Sequence, residues 1–307
     1  MLHHIKKIIV GFVLLVTSIA NAQQDAQYTQ YMHNTIVINP AYAGSRNVLS
    51  INGTHRSQWQ GLAGAPKTQT LSINSPMTER VGLGLSIVRD EIGPAVESYV
   101  AGDFSYTLPL NNGSTMFSFG MKAGFHSLNI DFSKLLIYNP TDDLLQNNVN
   151  NKISPIIGVG AYVYDEKWYI GISSPNILKT EHFSKSSVSK AAESLHLYAI
   201  GGYVFDINPD LQFKPAVLVK MAKGSPLAID ASANFLINQK FTLGASYRLN
   251  AAASALMGFQ ISRSMMIGYA YDYDTTDIGS YNSGSHEFLL RFEFFTKVKG
   301  KVSPRFF

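Results

Sequence analysis

Val81-Gly82-Leu83-Gly84-Leu85-Ser86-Ile87 sets four aliphatic side chains on one side of an extended chain and Gly82, Gly84 and Ser86 on the other. A helix would scatter Val81, Leu83, Leu85 and Ile87 around its axis, whereas a strand gathers them on one face, so the stretch reads as a strand. The same period of two recurs in both directions. Val96, Val100, Phe104, Tyr106 and Leu108 oppose Glu97, Tyr99, Asp103, Ser105 and Thr107. Phe117, Phe119, Met121, Ala123 and Phe125 oppose Ser118, Gly120, Lys122, Gly124 and His126, and Ile157, Val159, Ala161 and Val163 oppose Gly158 and Gly160. Near the end of the chain Phe288, Leu290, Phe292 and Phe294 oppose Glu287, Arg291 and Glu293.

Such segments number about 14. They fall at 48–56, 67–75, 80–90, 95–108, 115–127, 155–164, 168–174, 194–206, 211–221, 227–237, 241–249, 253–261, 265–273 and 285–295. No comparable window has a helical period, although a short helix within 131–150 is compatible with the pattern. The connections sort by length. Those at 76–79, 109–114, 165–167, 207–210, 238–240 and 262–264 are short, and the longest, 57–66, 128–154, 175–193 and 274–284, all fall among the alternate ones. A transmembrane β-barrel has short turns at its periplasmic rim and long loops outside, and a β-sandwich has no reason to sort its loops. A sandwich core alternates too, and it shares the preference for aromatics seen at Phe104, Tyr106, Trp168, Tyr169, Tyr269, Tyr271, Tyr273, Phe292, Phe294 and Phe295. The even strand number and loop asymmetry favour an all-β, transmembrane antiparallel barrel, with these aromatics as interfacial girdles.

Composition agrees. Of 307 residues 46% are hydrophobic and 15% charged, against roughly 25% charged in an average soluble protein. A mean hydropathy of +0.02 leaves no room for a bundle of membrane helices. Lys6 and Lys7, the apolar run Ile8 to Ala20 and the Ala20-Asn21-Ala22 end form the pattern of a cleaved secretory signal. This divides the chain into a signal at 1–22, an N-terminal periplasmic or lumen segment at 23–47, a barrel at 48–295 and a tail at 296–307. Without the two signal lysines the net charge of +4 falls to +2, no electrostatic footprint for nucleic acid. Cysteine is absent, which removes disulfides, thiolate metal sites and cysteine nucleophiles.

No enzyme motif emerges. G-x-S-x-G, H-E-x-x-H and the phosphate-binding glycine loops are missing. His33, His55, His126, His182, His196 and His286 stand far apart, so neither metal nor cofactor is expected. Ser285, His286, Glu287 and Asp272 hold the residue types of a hydrolase, but on strands they read better as a polar lumen network with Arg248 and Arg291, joined by Lys122, Lys214, Lys220 and Asp230. Both signs occur there, unlike the single-sign ring of an ion-selective pore. Before the first strand, Asn39-Pro40-Ala41-Tyr42-Ala43-Gly44-Ser45 is turn chemistry, either leading into the strand or folded into the lumen or against the periplasmic mouth.

That heptapeptide, Arg56-Ser57-Gln58-Trp59-Gln60-Gly61 and Gly64-Ala65-Pro66-Lys67-Thr68 resemble the PorP/SprF family of type IX secretion system outer-membrane proteins of Bacteroidota. The resemblance continues through Leu243-Gly244-Ala245-Ser246-Tyr247-Arg248, Gly268-Tyr269-Ala270-Tyr271-Asp272, Ser285-His286-Glu287 and the terminal Ser303-Pro304-Arg305-Phe306-Phe307. Ser57 and Ala270 depart from the family's glutamine and serine, and 128–193 matches nothing specific. The resemblance implies a non-enzymatic barrel in the outer membrane of a Gram-negative cell. It implies service in secretion or surface attachment of proteins with a type IX C-terminal signal, gliding adhesins among them. The implied partners are outer-membrane lipid, the secreted C-terminal domain, a peptidoglycan-binding OmpA-like periplasmic protein and other type IX components. On this reading Asn39, Pro40, Tyr42, Gly44, Arg56, Trp59 and Pro66 are candidates to meet a partner. The long loops would hold the secreted domain, and the turns and segment 23–47 would grip the periplasmic partner. A channel or passive transporter is the alternative, since about 14 strands enclose a lumen wider than that of a filled eight-stranded barrel.

Overall fold

The computed structural model describes residues 26–135, 148–178, 195–222 and 225–295. The strands are β1 (Val48–Ser57), β2 (Lys67–Pro76), β3 (Val81–Ile92), β4 (Ala95–Leu110), β5 (Thr115–Ile130), β6 (Val149–Tyr164) and β7 (Trp168–Ser174). They continue as β8 (His196–Tyr203, resumed at Phe205–Asn208), β9 (Leu211–Ala222), β10 (Ala228–Ile237), β11 (Phe241–Arg248), β12 (Ala252–Ser262), β13 (Met265–Asp274) and β14 (Ser285–Phe295). Each pairs antiparallel with the next. β14 returns to β1 in the register Val48 to Phe295 through Ser57 to His286, which closes a 14-stranded barrel with no free edge. The strands lie where the sequence pattern predicts, with ends shifted by at most three residues, except that β6 begins at Val149, six residues before the expected start at 155. Val204 interrupts β8, and its N–H donates to the carbonyl of Lys167 (2.6 Å), one step beyond the Trp168 to Tyr203 pair.

The barrel is apolar outside and polar inside. Leu83, Leu85, Phe119, Met121, Ile170, Ile172, Leu243, Met257 and Ile267 are all exposed on the outer face. Ser86, Asp103, Ser105, Lys122, Asp230, Arg248, Asp272, Glu287 and Arg291 are buried on the inner one. A sandwich would bury its apolar face, so only a surrounding lipid phase suits this surface. Leu85→Arg, on that face and inside the strand Val81–Ile92, is expected to lower the unfolding free energy by about 2–4 kcal/mol. Urea titration of the barrel refolded into lipid vesicles reads this, and an unchanged midpoint would mean that Leu85 does not meet lipid.

Aromatic rings collect at the short-turn rim. Tyr203 packs against Phe205 (4.5 Å between centroids), Phe213 against Phe235 (4.9 Å) and Phe241 against Phe259 (4.8 Å), each pair with tilted rings. Tyr169 is a correction to the girdle expected from sequence. It follows outward-facing Trp168, so it points inward, 5% exposed, with its ring 5.8 Å from Tyr162. After β5, the described part of the loop opens with the 3₁₀ turn Phe132–Lys134. Asp131 caps it through the hydroxyl and N–H of Ser133 (2.6 and 3.1 Å), which hold that carboxyl below the ordinary carboxylate range; 136–147 lie outside the described residues.

Candidate functional site

Residues 26–47 lie inside the barrel and cross the lumen from the long-loop mouth to the short-turn mouth. At the first end Arg248 donates to the Gln27 amide oxygen (3.0 Å), and the N–H groups of Thr29 and Gln30 both donate to the Glu287 carboxylate (2.9 Å each). Glu287 lies just after the long connection 275–284, and Arg248 ends its strand at the same rim. Midway, Asn34 donates to Thr70 (3.2 Å), Ser173 donates to the Ile38 carbonyl (2.7 Å), and Asn39 Nδ2 donates to the Ala161 carbonyl (3.1 Å). At the other end Ser118 donates to the Ala41 carbonyl (2.8 Å) and Ser105 to that of Ala43 (2.7 Å). Gly44 N–H then reaches Asn74 (3.3 Å), and the chain enters β1.

Local chemistry shapes this path. Pro40 sits in the first turn of the 3₁₀ element Pro40–Tyr42, where its missing N–H costs nothing, and Asn39 caps that element by accepting from Ala41 N–H (3.0 Å). Gly44 turns the chain at φ +73°, with the Cα atoms of Gly82 and Pro76 closing off the space a side chain would need. Tyr31, Met32, Ile36, Ile38, Ala41 and Tyr42 bury themselves among inward rings of Tyr162, Tyr164, Tyr169 and Tyr198. Tyr42 meets Tyr162 edge-on at 5.6 Å, a favoured aromatic geometry.

The wall is hollowed to receive the segment. Gly82 on β3, Gly120 on β5 and Gly160 on β6 face Ala43, the Pro40-Ala41 peptide and Asn39 so closely that a Cβ on any of the three would overlap them. Absent side chains here are room for backbone.

Two charge networks fasten the ends. Arg56 donates to Asp272 (2.6 Å), Glu287 (3.1 Å) and the Thr29 hydroxyl (2.9 Å), and Thr29 in turn donates to Asp272 (2.7 Å). The three ionic side chains are at most 2% exposed. At the short-turn end Arg46 pairs with Glu293 (2.6 Å), which also lies 3.6 Å from Arg291. Lys122 with Asp103 (2.7 Å) and Arg248 with Asp230 (2.9 Å) neutralise one another across neighbouring strands.

Of the residues singled out in the sequence, Asn39, Pro40 and Tyr42 are buried and Gly44 half-buried, all directed at the lumen wall. Arg56, Asp272, Glu287, Arg248 and Arg291 meet in the networks just described, and Pro66 is buried at the foot of the first long loop. His286 is a correction. It alternates with Ser285 and Glu287, so it faces outward, where Nδ1 shares a hydrogen bond with the Tyr269 hydroxyl (2.7 Å). Ser285 and His286 therefore point to opposite faces and form no nucleophile and base pair. Trp59 folds back over the loop, its N–H donating to Ser285 (3.1 Å) and its indole to Asp274 (3.3 Å), at φ +49°. Thr29, Arg46, Asp103 and Glu293 belong to the site with no motif in the sequence to mark them; only the inward side of the alternation points to the last two.

At the long-loop mouth a cavity of about 300 Å³ remains, lined by Ala26, Tyr28, Asp90, Glu97, His196 and Tyr198 among others. Among the described residues no group of three or more His, Asp or Glu is placed to hold a metal ion.

A family model described as type IX secretion system membrane protein PorP/SprF matches residues 20–292. No curated protein matches. Among solved structures, the Acinetobacter baumannii outer membrane protein Omp33 is similar at 10% identity and a TM-score of 0.47, with 82% of this chain and 100% of that one covered. NanC porin is similar at 11% identity and 0.43, covering 80% and 98%, and KdgM porin at 9% and 0.38, covering 80% and 99%.

Proposed function

The chain belongs to the PorP/SprF family of type IX secretion system membrane proteins, an outer-membrane barrel family, and from that premise we propose that it works as a holding scaffold and not as a conduit. The observation that carries the reading is the segment 26–47, which occupies the lumen along its length, tied at one end by hydrogen bonds of Thr29 and Gln30 to the buried Arg56–Asp272–Glu287 cluster and at the other by the buried Arg46–Glu293 ion pair. A channel would need that path open. Secretion components are the partners to which family membership points. More specifically, the long-loop mouth receives a secreted protein with a type IX C-terminal domain, gliding adhesins among the candidates. The short-turn mouth faces the periplasmic, OmpA-like partner that links the barrel to the motor complex. Residues 1–22 act as the cleaved export signal, 48–295 as the barrel and 296–307 as a C-terminal tail.

Because strand edges are closed, any partner is met by loops and mouths. Asn39, Pro40, Tyr42 and Gly44 then serve partner binding indirectly, by holding the segment in place, while Trp59 and the loops act directly. Trp59→Ala removes one indole hydrogen bond, worth about 1 kcal/mol, and leaves the ladder intact. Trp59→Ala and deletion of 179–193 are each expected to reduce surface display of the C-terminal-signal protein while the barrel still migrates as a folded species in unheated gels. Affinity purification of the tagged barrel from detergent-extracted outer membranes, with mass spectrometry, is expected to retain that protein. Undiminished display in both variants would sink the loop-docking reading.

A further inference from the structure

We propose that the mature chain begins at the outer mouth of the barrel, so that its N-terminus is exposed on the cell surface although the polypeptide enters β1 at the periplasmic rim. This rests on the reading of residues 1–22 as a removed signal and of the long loops as extracellular.

The direction of the segment carries the inference. Gln27 is held by Arg248, which precedes the connection 249–251, and Thr29 by Arg56, Asp272 and Glu287, which border the connections 58–66 and 275–284. Ala26 and Tyr28 line the same cavity as Asp90, Ile92, Ala95 and Glu97, on either side of the connection 93–94. All four connections belong to the long-loop rim. By contrast Gly44 lies against Pro76 and Gly82, which border the short turn 77–80, and Arg46 lies against Glu293 near the end of β14. Residues 26–47 therefore run from the outer rim to the inner one, and β1 runs back outward beside them as the second arm of a hairpin.

Length closes the argument. If processing follows Ala22, residues 23–25 separate the new terminus from Ala26, and three residues reach about 10 Å when fully extended. The apolar band of such a barrel is about 25 Å tall, so that terminus cannot return to the periplasmic side. An uncleaved signal anchored in the inner membrane would likewise be incompatible with this path. Signal removal must precede the pairing of β1 with β14, because afterwards the segment would have to thread a closed ring of hydrogen bonds. A surface partner that engages the outer mouth meets the chain's own beginning as part of the cavity wall. A periplasmic partner meets only the opposite end, around Ala43 to Asn47, and the short turns.

The absence of native cysteine gives a clean test. Three single-thiol proteins are exposed to a membrane-impermeant maleimide on intact cells. They carry Gly-Ser-Cys-Gly-Ser inserted between Gln24 and Asp25, Ala63→Cys in a long loop, and Arg263→Cys in a short turn. The insertion clears the cavity, and labelling after denaturation establishes that each thiol is present. The expected result is labelling of the insertion and Ala63→Cys on intact cells to the same extent, with Arg263→Cys labelled only after permeabilisation. Labelling of Ala63→Cys but not of the insertion on intact cells would overturn the proposal and leave the barrel's orientation standing. Labelling of Arg263→Cys alone would reverse the orientation and overturn both. Retention of the signal, read from the intact mass, would also defeat it.

Discussion

Arg56→Met is expected to cost the barrel about 3–5 kcal/mol, the usual consequence of removing one partner from a buried ionic cluster. The guanidinium holds Asp272, Glu287 and the Thr29 hydroxyl together while almost wholly shielded from water. Once it is gone, two carboxylates remain in one buried site, with hydroxyl and amide donors and the more distant charge of Arg248 in place of a paired guanidinium. Methionine fills much of the volume, so the loss measures charge more than packing. The triple variant Arg56→Met, Asp272→Asn, Glu287→Gln separates the two contributions, because neutral isosteres keep the shape and remove the stranded charge. It is expected to be more stable than Arg56→Met alone in a urea titration of the refolded barrel. Equal destabilisation of both would mean that the cluster acts through packing. Arg89 supplies the contrast. It pairs with Glu91 at the same 2.6 Å, but both side chains are about half exposed, and Arg89→Met should change stability by less than about 1 kcal/mol.

That contrast also marks how far the sequence could be read. Strand positions follow from period two, since inner and outer faces in lipid differ so sharply that nearly every segment alternates, as 81–87 does. The lumen side of Asp272, Glu287, Arg248 and Arg291 follows from the same parity. The two misplacements, Tyr169 and His286, each put adjacent residues on one face, which a strand forbids. What sequence could not yield was the partner of each inward group. Thr29 meets Asp272 and Asn39 meets Ala161 across large separations along the chain, and no local pattern encodes such contacts. One signal was present but open to two readings. Gly82, Gly84, Gly120 and Gly160 lie inward on three strands of the wall, which fits small lumen residues and fits equally a trough for something lying against them.

The trough leads to the second large effect. Gly120→Leu is expected to turn an electrically silent barrel into a conducting one. A side chain at Gly120 would occupy the space of the Pro40-Ala41 peptide, and those atoms are backbone that no rotamer change can move aside. Either the wall or the segment must yield. Gly120 is paired on both sides, with Ser105 on β4 and with Gly160 on β6, inside long antiparallel ladders. The segment is held by separate hydrogen bonds, apolar contacts and the Arg46–Glu293 ion pair, and a local shift around Pro40-Ala41 gives up only a few of these, whereas moving Gly120 breaks ladders on both sides. The segment therefore moves, the Asn39 and Ala43 contacts are lost with it, and a 14-stranded lumen becomes passable. Planar-bilayer recordings read this as discrete conductance steps absent from the unaltered protein. Met121→Leu, one position along the same strand but on the lipid face, should stay silent. Steps of equal size in the unaltered protein would mean that the segment does not block the path, and the scaffold reading would give way to a channel.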